Sequence, residues 1–461
     1  MRPSATQTEE QLLERLSARD ASLWPEHNLA PSRLGWLDSP REMERARKGL
    51  DRWAATIDQD TVVVLGMGGA TAAARVLAEG AESFSAAGAR HLYVGDTTEP
   101  ETLAALPLER AFIVVCSKSG TTRETRALFD YARTRNADLK RYAVISDART
   151  PLARQAEELR VQRVFESRPD LAGCYAALDL AGVVPAALLG YDLEEFLGRA
   201  LDVDRHLALS LGVELGEAAL QGVDRVTIET APDRMETGRW AAQLLGSGVS
   251  GGRGIIGVPS SEAEGGSERQ LLGLGELQPH ELGALFFRLQ LAAAISAHVL
   301  GVDPFGPPAT EAWAARTAEL LAELPLPTPP VLHGEQLDAY LREHLADGDY
   351  LRLEAYLPDA CGEELEALRR ALRDRYGQLA VTASLAPRAL HAASRLRHEG
   401  PSSGLVVQLV PRAARAELPV PGTDYDFGTL TDALALADAE TLASEARRVV
   451  RVAIDEPGEL C

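Results

Sequence analysis

The chain of 461 residues is long enough to bury a large core and to form two or three domains. Its hydrophobic fraction of 46% and charged fraction of 25% are ordinary for a globular protein. The formal net charge of −21 argues against nucleic acid or an acidic membrane surface as a partner, so an anionic ligand would need a locally positive pocket.

Signals for metal binding, secretion and membrane insertion are missing from the sequence. The four cysteines are scattered without CxxC spacing, so we expect neither a disulfide framework nor a zinc site. The N-terminal stretch lacks the apolar run of a signal peptide, and no uninterrupted apolar run reaches membrane-spanning length. We therefore expect a soluble, cytoplasmic protein with no metal ion and with neither a membrane nor a nucleic acid as partner.

Helical and strand-like patterns alternate along the first half of the chain. Residues 9–18 and 43–54 have helical spacing, and further helices are predicted at 123–135 and 172–189. Short apolar runs predict strands at 61–65, 92–94, 111–116, 142–146 and 161–165. This alternation predicts an α/β fold with a doubly wound parallel sheet.

The second half of the chain shows a similar alternation. Strands are predicted at 226–229, 254–258, 350–355, 379–383 and 405–409. Residues 280–300 form a long apolar helix, and closely spaced prolines make 324–331 a stiff connector. We expect an N-terminal helical segment (1–55), a first domain (56–210), a second domain (211–330) and a C-terminal portion that completes the second domain (331–461).

The loop that follows the strand at 111–116 carries the clearest chemical signal. First-turn N–H groups of a helix lack partners within the helix and attract anions, and the helix at 123–135 begins directly after this loop. Hydroxyls add donors, Gly120 permits close backbone approach and Lys118 supplies a compact positive charge. The loop therefore predicts a phosphate-ester site, and a plain Ser/Thr-capped helix is the alternative. Its polar residues are Ser117, Lys118, Ser119, Thr121 and Thr122.

A glycine-rich turn follows the strand at 61–65. Gly66, Gly68 and Gly69 stand between that strand and a helix, which is also the arrangement of a dinucleotide-binding turn. Thr71 occupies the position of that motif's third glycine, so we disfavour a nicotinamide and expect no cofactor.

The run SKSGTTRET at 117–125 resembles the SKSGTTxET signature of the glucose-6-phosphate isomerase family. Other segments resemble the branch of that family that is fused to transaldolase in some bacteria, and together they span nearly the whole chain without a transaldolase portion. They are ASLWPEHNLAPSRLGWLDSPREM at 21–43, PAALLGYD at 185–192, Pro304-Phe305 and LPVPGTDYDFGTL at 418–430.

The resemblance implies two sugar-isomerase (SIS) domains, a phosphorylated sugar as ligand and a homodimer. It also implies that the turn containing Gly68 and Gly69 touches the sugar phosphate, with Ala70 in place of the family's serine. A protein partner is a further option if the protein acts as a regulator or scaffold.

The positions that would carry the catalytic groups depart from the family. Aldose–ketose isomerisation needs a carboxylate base, a cation for the developing oxyanion and a group that opens the sugar ring. The resemblance places the base at Gly246 or Ser247, in a loop one residue shorter than the family's, and the family's arginine at Cys174. The family's catalytic lysine aligns with His398 of this chain. The family's ring-opening histidine has no clear counterpart, and Ser267-Glu268 is the nearest match. The chain is therefore predicted to be a divergent, degenerate member.

Two features offer compensation for these losses. His398 is a candidate acid or base for ring opening. An equally good interpretation is that His398 is a surface residue beside Arg397 and Glu399, without a catalytic role. One of the glutamates on the loop after the lost base is a second candidate, but a charged loop face is the interpretation we prefer. These glutamates are Glu262, Glu264 and Glu268.

Three functions compete on these grounds. The first is an active isomerase of glucose 6-phosphate and fructose 6-phosphate with rearranged catalytic groups. The second is a phosphosugar-binding protein whose isomerase activity is weak or absent, and the third is another enzyme acting on a phosphorylated sugar. Because the loop's phosphate-binding residues are kept while the proton-transfer groups are replaced, the sequence favours the second or the third function over the first.

Overall fold

A computed structural model of the chain describes residues 8–24, 30–82, 90–266, 269–307, 309–392, 394–455 and 458. The chain divides into two compact units. Unit 1 comprises Met1–Gly95 and Pro107–Pro307, and unit 2 comprises Asp96–Leu106 and Pro308–Cys461. The short segment 96–106 therefore belongs to unit 2, although its flanking strands belong to unit 1.

The first part of the chain forms the elements α1 (Glu9–Ser17), α2 (Ser39–Ala54), β1 (Thr61–Gly66), α3 (Gly69–Glu82), β2 (His91–Gly95), α4 (Pro100–Ala104, in unit 2), β3 (Phe112–Cys116), α5 (Arg123–Arg135), β4 (Tyr142–Asp147), α6 (Pro151–Leu159), β5 (Arg163–Ser167), α7 (Leu180–Leu189), α8 (Leu193–Leu201) and α9 (Arg205–Leu220). The five strands form a parallel sheet of unit 1 in the order β2-β1-β3-β4-β5. The side chains of β1 and β3 are buried on both faces, as their apolar runs predict.

Unit 1 also contains a three-stranded parallel sheet in the order β7-β6-β8. Its elements are β6 (Arg225–Glu229), α10 (Met235–Leu245), β7 (Ile256–Ser260), β8 (Arg269–Gly273) and α11 (Leu282–Leu300). Among the described residues one helical stretch, Pro279–Leu300, is long and apolar enough to cross a membrane by length and composition, and 78% of its apolar window is buried inside the protein. This stretch is the central core helix of unit 1.

Unit 2 contains a second five-stranded parallel sheet, in the order β11-β10-β12-β13-β9. One face of this sheet is apolar, whereas the other buries Glu354, Gln408 and Arg397. The elements are α12 (Glu311–Ala322), β9 (Leu332–His333), α13 (Leu337–His344), β10 (Tyr350–Ala355), α14 (Gly362–Arg375), β11 (Ala380–Leu385), α15 (Arg388–Ala392), α16 (Ser394–Glu399), β12 (Gly404–Pro411), α17 (Phe427–Ser444) and β13 (Arg448–Ile454).

The predicted α/β class, with parallel sheets flanked by helices, is confirmed. The helix predicted at 172–189 is shorter than expected: a 3-10 turn at Gly173–Tyr175 comes first, and α7 begins at Leu180. Asp179 ends the irregular stretch because its side chain accepts the N–H of Leu180 at 2.8 Å. The predicted domain boundaries at 55/56, 210/211 and 330/331 stay predictions.

The Glu79 carboxyl joins α3 to the start of α10. One of its oxygens accepts the N–H of Glu236 at 2.8 Å, and the other accepts the N–H and the hydroxyl of Thr237 at 3.1 and 3.0 Å. The guanidinium of Arg234 donates to the Glu79 carbonyl at 2.6 Å. Burial raises the pKa of Glu79 to about 7, against the hydrogen bonds, which lower it.

This contact predicts a pH-dependent stability. A carboxyl whose pKa is higher in the folded than in the unfolded protein binds more protons in the folded state. Its contribution to the free energy of unfolding is therefore full below the pKa of the unfolded state, and it is lost as the pH rises through the pKa of the folded state. For Glu79 the window runs from 4.5 to about 7, and the loss is on the order of 3 kcal/mol. Denaturant titrations between pH 5 and 8 should show a smaller fall in the free energy of unfolding for Glu79→Gln than for the wild type.

The control for this experiment is Glu158→Gln, which changes an exposed carboxyl of α6 and should keep the wild-type pH profile. Identical profiles for Glu79→Gln and the wild type would contradict the assignment.

Candidate functional site

Two turns meet at one end of the first sheet. In the order β2-β1-β3-β4-β5, the chain runs outward in opposite directions from the boundary between β1 and β3. The carboxyl ends of strands at such a topological switch point form the crevice where open α/β sheets bind ligands. The glycine turn follows β1 and the hydroxyl loop (117–122) follows β3, so both predicted binding segments lie at this crevice.

Hydrogen bonds within the hydroxyl loop hold it in a compact turn. The buried Ser117 hydroxyl accepts the N–H of Gly120 at 3.2 Å and donates to the Thr122 hydroxyl at 3.4 Å. The exposed Ser119 hydroxyl accepts the N–H and the hydroxyl of Thr121 at 3.3 and 3.0 Å. Gly120 has a φ of +62° there, and a Cβ would lie 2.5 Å from the hydroxyl oxygen of Thr150, so glycine is required.

The first turn of α5 faces the same crevice without a side-chain cap. Thr122 occupies the N-cap position and accepts no backbone N–H of the helix, unlike Thr150 at the start of α6, which accepts the N–H of Ala153 at 3.2 Å. A helix start of this kind attracts an anion through its N–H groups and the positive end of its dipole. The geometry is thus consistent with the predicted phosphate site.

The Lys118 ammonium is already engaged. It donates to both carboxylate oxygens of Asp147, at 2.8 and 2.7 Å, and to the carbonyl of Arg168 at 2.8 Å. Burial lowers the pKa of Lys118, and the Asp147 carboxylate acts in the opposite direction. Asp147 is the last residue of β4 and Arg168 directly follows β5, and the sequence reasoning missed both. The carboxyl at the end of a predicted strand was the available signal for Asp147.

The glycine turn lies against two other segments. A Cβ on Gly66 would be 2.5 Å from the Cys116 carbonyl oxygen, at the end of β3, and a Cβ on Gly69 would be 2.5 Å from the Gly173 carbonyl oxygen. Gly68 has a φ of +62°. This close approach places Cys174, which the resemblance aligns with the family's arginine, beside the turn.

Tyr175 neighbours Cys174 and Ser247, and the resemblance aligns the family's base with Gly246 or Ser247. Its side chain is buried, it lies 4.9 Å from Trp36 between ring centroids, and its carbonyl accepts the side-chain amide of Gln290 at 2.8 Å. Burial raises the pKa of Tyr175 well above its ordinary value, and the neighbouring Ser247 side chain opposes this shift. Unit 1 therefore brings together the two turns, Cys174 and Ser247, without supplying a carboxylate or a guanidinium at the last two positions.

The cysteine at the end of β3 is inert. Burial raises the pKa of Cys116 to about 12, which suits the predicted core role. Cys116 is a free thiol. Within the described ranges, no three His, Cys, Asp or Glu side chains are grouped as a metal site would require.

His398 is not a surface residue, contrary to one of our two interpretations. It lies in unit 2, its side chain is 5% exposed, and its Nδ1 is 2.6 Å from a carboxylate oxygen of Glu445. The neighbouring Arg397 is fully buried between Glu354 and Asp438. A role for His398 in ring opening stays a prediction.

One of the three loop glutamates is also buried rather than part of a charged face. Glu264 is 4% exposed, pairs with Arg269 at 2.8 Å and accepts the Ser260 hydroxyl at 2.9 Å. These bonds hold Glu264 in place, so it is not available to swing into a site. Ser267 and Glu268 lie outside the described residues.

Comparison with known proteins supports the resemblance read from SKSGTTRET. A protein of Natronomonas pharaonis named "Probable glucose-6-phosphate isomerase" is 32% identical over a segment that covers 45% of this chain and only half of that relative's length. The glucose-6-phosphate isomerase of Symbiobacterium thermophilum is 24% identical, with 63% of this chain and 87% of the relative covered. No protein-family model matches the chain.

The solved structures give a weaker likeness. A hypothetical protein of Thermus thermophilus has a TM-score of 0.46 and 18% identity, with 98% of this chain and 84% of the other covered. A TM-score below 0.5 does not establish a shared fold.

The sequence relatives place the chain among homologues of sugar-phosphate isomerases. More narrowly, its curated homologues are glucose-6-phosphate isomerases. Membership of the transaldolase-fused branch stays a prediction.

The glycine turn yields a prediction about packing. Gly69→Ala should lower the free energy of unfolding by about 1–3 kcal/mol, because the new methyl group would meet backbone atoms of Gly173 that have no room to move. Gly49→Ala is the matched control, since Gly49 lies in α2 with nothing within 4 Å of its Cβ position, and it should be stabilising by up to about 1 kcal/mol. Equal effects of the two substitutions in urea unfolding would show that the turn is not tightly packed.

Proposed function

We propose that this protein binds a phosphorylated sugar at the crevice between β1 and β3 and that its isomerase activity is absent or far below that of its homologues. The homology to glucose-6-phosphate isomerases supports a sugar phosphate as the ligand class. A cytoplasmic location and a homodimer belong to the same proposal.

The observation that carries the binding part is the convergence of the hydroxyl loop, the uncapped start of α5 and the glycine turn at one switch point. The exposed Ser119 and Thr121 provide hydroxyls, and Ser117 and Thr122 shape the turn behind them. Gly68 and Gly69 belong to the second turn, which follows β1 at the same end of the sheet. Phosphate is the anion that best matches neutral hydroxyls and backbone N–H groups around a helix start.

The reduced activity rests on the residues at the positions that the resemblance assigns to the family's base and arginine. Neither Gly246 nor Ser247 can take a proton from carbon, and Cys174 cannot supply the positive charge of a guanidinium. Loss of a general base alone commonly costs about 10² to 10⁴ in rate, and the loss of the cation adds to this. The buried ion pair of Glu264 removes one nearby carboxylate as a substitute.

Two measurements on one sample test the proposal. Glucose 6-phosphate should be converted to fructose 6-phosphate far more slowly than about 1 s⁻¹, while at least one hexose phosphate raises the melting temperature. Turnover at an ordinary enzyme rate would mean that other groups replace the lost ones. The absence of both turnover and stabilisation would overturn the binding function.

A single hydroxyl locates the binding site. Thr121→Val keeps the side-chain shape but removes a donor, so phosphosugar affinity measured by calorimetry should weaken by about tenfold. Thr134→Val is the matched control because Thr134 is exposed near the other end of α5, about 16 Å from the helix start. Equal affinities of the two variants would contradict the placement of the site.

A further inference from the structure

The Lys118 ammonium has three protons, and all three have acceptors within the protein. Two point to the Asp147 carboxylate and one to the Arg168 carbonyl, with distances between 2.7 and 2.8 Å. Its side chain is 25% exposed, as is that of Asp147, so the pair is shielded from most of the solvent. Because the carboxylate cancels the positive charge, this lysine does not make the crevice positive.

Asp147 is itself held from two sides. Its backbone N–H donates to the Lys118 carbonyl at 3.1 Å, so the two residues are joined by their main chains as well as by the ion pair. The Ser167 hydroxyl, at the end of β5, donates to the same carboxylate. Lys118 thereby ties the loop after β3 to the ends of β4 and β5.

We propose that Lys118 is a positioning residue of the phosphate loop and that the phosphate is bound by neutral donors, the hydroxyls of Ser119 and Thr121 and the N–H groups at the start of α5. This inference rests on the proposed function. The ion pair fixes the loop's backbone, and that backbone determines where the two exposed hydroxyls stand.

Lys118→Ala should weaken phosphate binding whether Lys118 positions the loop or contacts the phosphate directly, so this variant does not distinguish the two roles. Asp147→Asn does distinguish them. This substitution releases the ammonium and removes a negative charge, so a lysine that contacted the phosphate would bind it more tightly. If Lys118 positions the loop, the loosened pair should weaken glucose 6-phosphate binding by about tenfold. Lys118→Arg, which can still pair with Asp147, should restore part of the affinity lost in Lys118→Ala.

The lysine content of the chain allows a direct spectroscopic test. Lys48, Lys118 and Lys140 are the only lysines, so ¹⁵N-lysine labelling gives three backbone signals and three side-chain signals. The Lys118 signals are identified by their loss in Lys118→Arg, and those of Lys48 and Lys140 serve as internal controls. Glucose 6-phosphate and inorganic phosphate are the two titrants.

Each outcome of the titration decides the matter. A shift of the Lys118 backbone signal without a shift of its side-chain signal supports the positioning role. Large shifts of both, together with tighter binding by Asp147→Asn, would overturn that role while leaving phosphosugar binding intact. No shift of either signal with either titrant would overturn the positioning role and the proposed function together.

Discussion

The close approach of three backbone segments at the β1/β3 switch point is the constraint on which the rest of the site depends. Gly66 and Gly69 have no room for a side chain because the end of β3 and the 3-10 turn at Gly173 lie against them. Gly120 likewise sits against Thr150 in a left-handed conformation. With these contacts fixed, the start of α5 and the loop hydroxyls are presented at the carboxyl ends of the strands, where a parallel sheet can bind an anion.

The charges around this crevice are distributed in an unexpected way for an anion site. The lysine of the loop is neutralised by Asp147, and the resemblance aligns the family's arginine with Cys174. Apart from this paired lysine, the donors of the hydroxyl loop itself are neutral, in an acidic protein of net charge −21. Binding then depends on geometry, because N–H and O–H dipoles act over short distances whereas a full charge acts over long ones. The tight packing around the loop, where Gly120 lies against Thr150, supplies this fixed geometry.

Much of the fold followed from local sequence patterns, and the exceptions have a common cause. The apolar runs of β1 and β3 predicted buried parallel strands because both faces are covered. No local pattern could assign residues 96–106 to unit 2, since that depends on partners far along the chain, such as Thr431, whose hydroxyl lies 2.8 Å from that of Thr98. The same holds for Asp147 and Arg168, the partners of Lys118, which lie 29 and 50 residues further along the chain. The sequence indicated the two segments of the candidate site, but it could not indicate the ion pairs of their residues.

Exchange of carbon-bound hydrogen with solvent most directly tests the proposal that the crevice binds a sugar phosphate but lacks a base. Isomerisation through an enediolate requires a base to remove the proton at C2 of glucose 6-phosphate, so any working base incorporates deuterium there when the protein is incubated in D₂O, even if little product is released. The account predicts that NMR detects the sugar phosphate bound at the loop while its C2 hydrogen is retained. Deuterium at C2 that accumulates at an enzyme-like rate, and that disappears with Thr121→Val, would show that the crevice contains a base and would contradict the account.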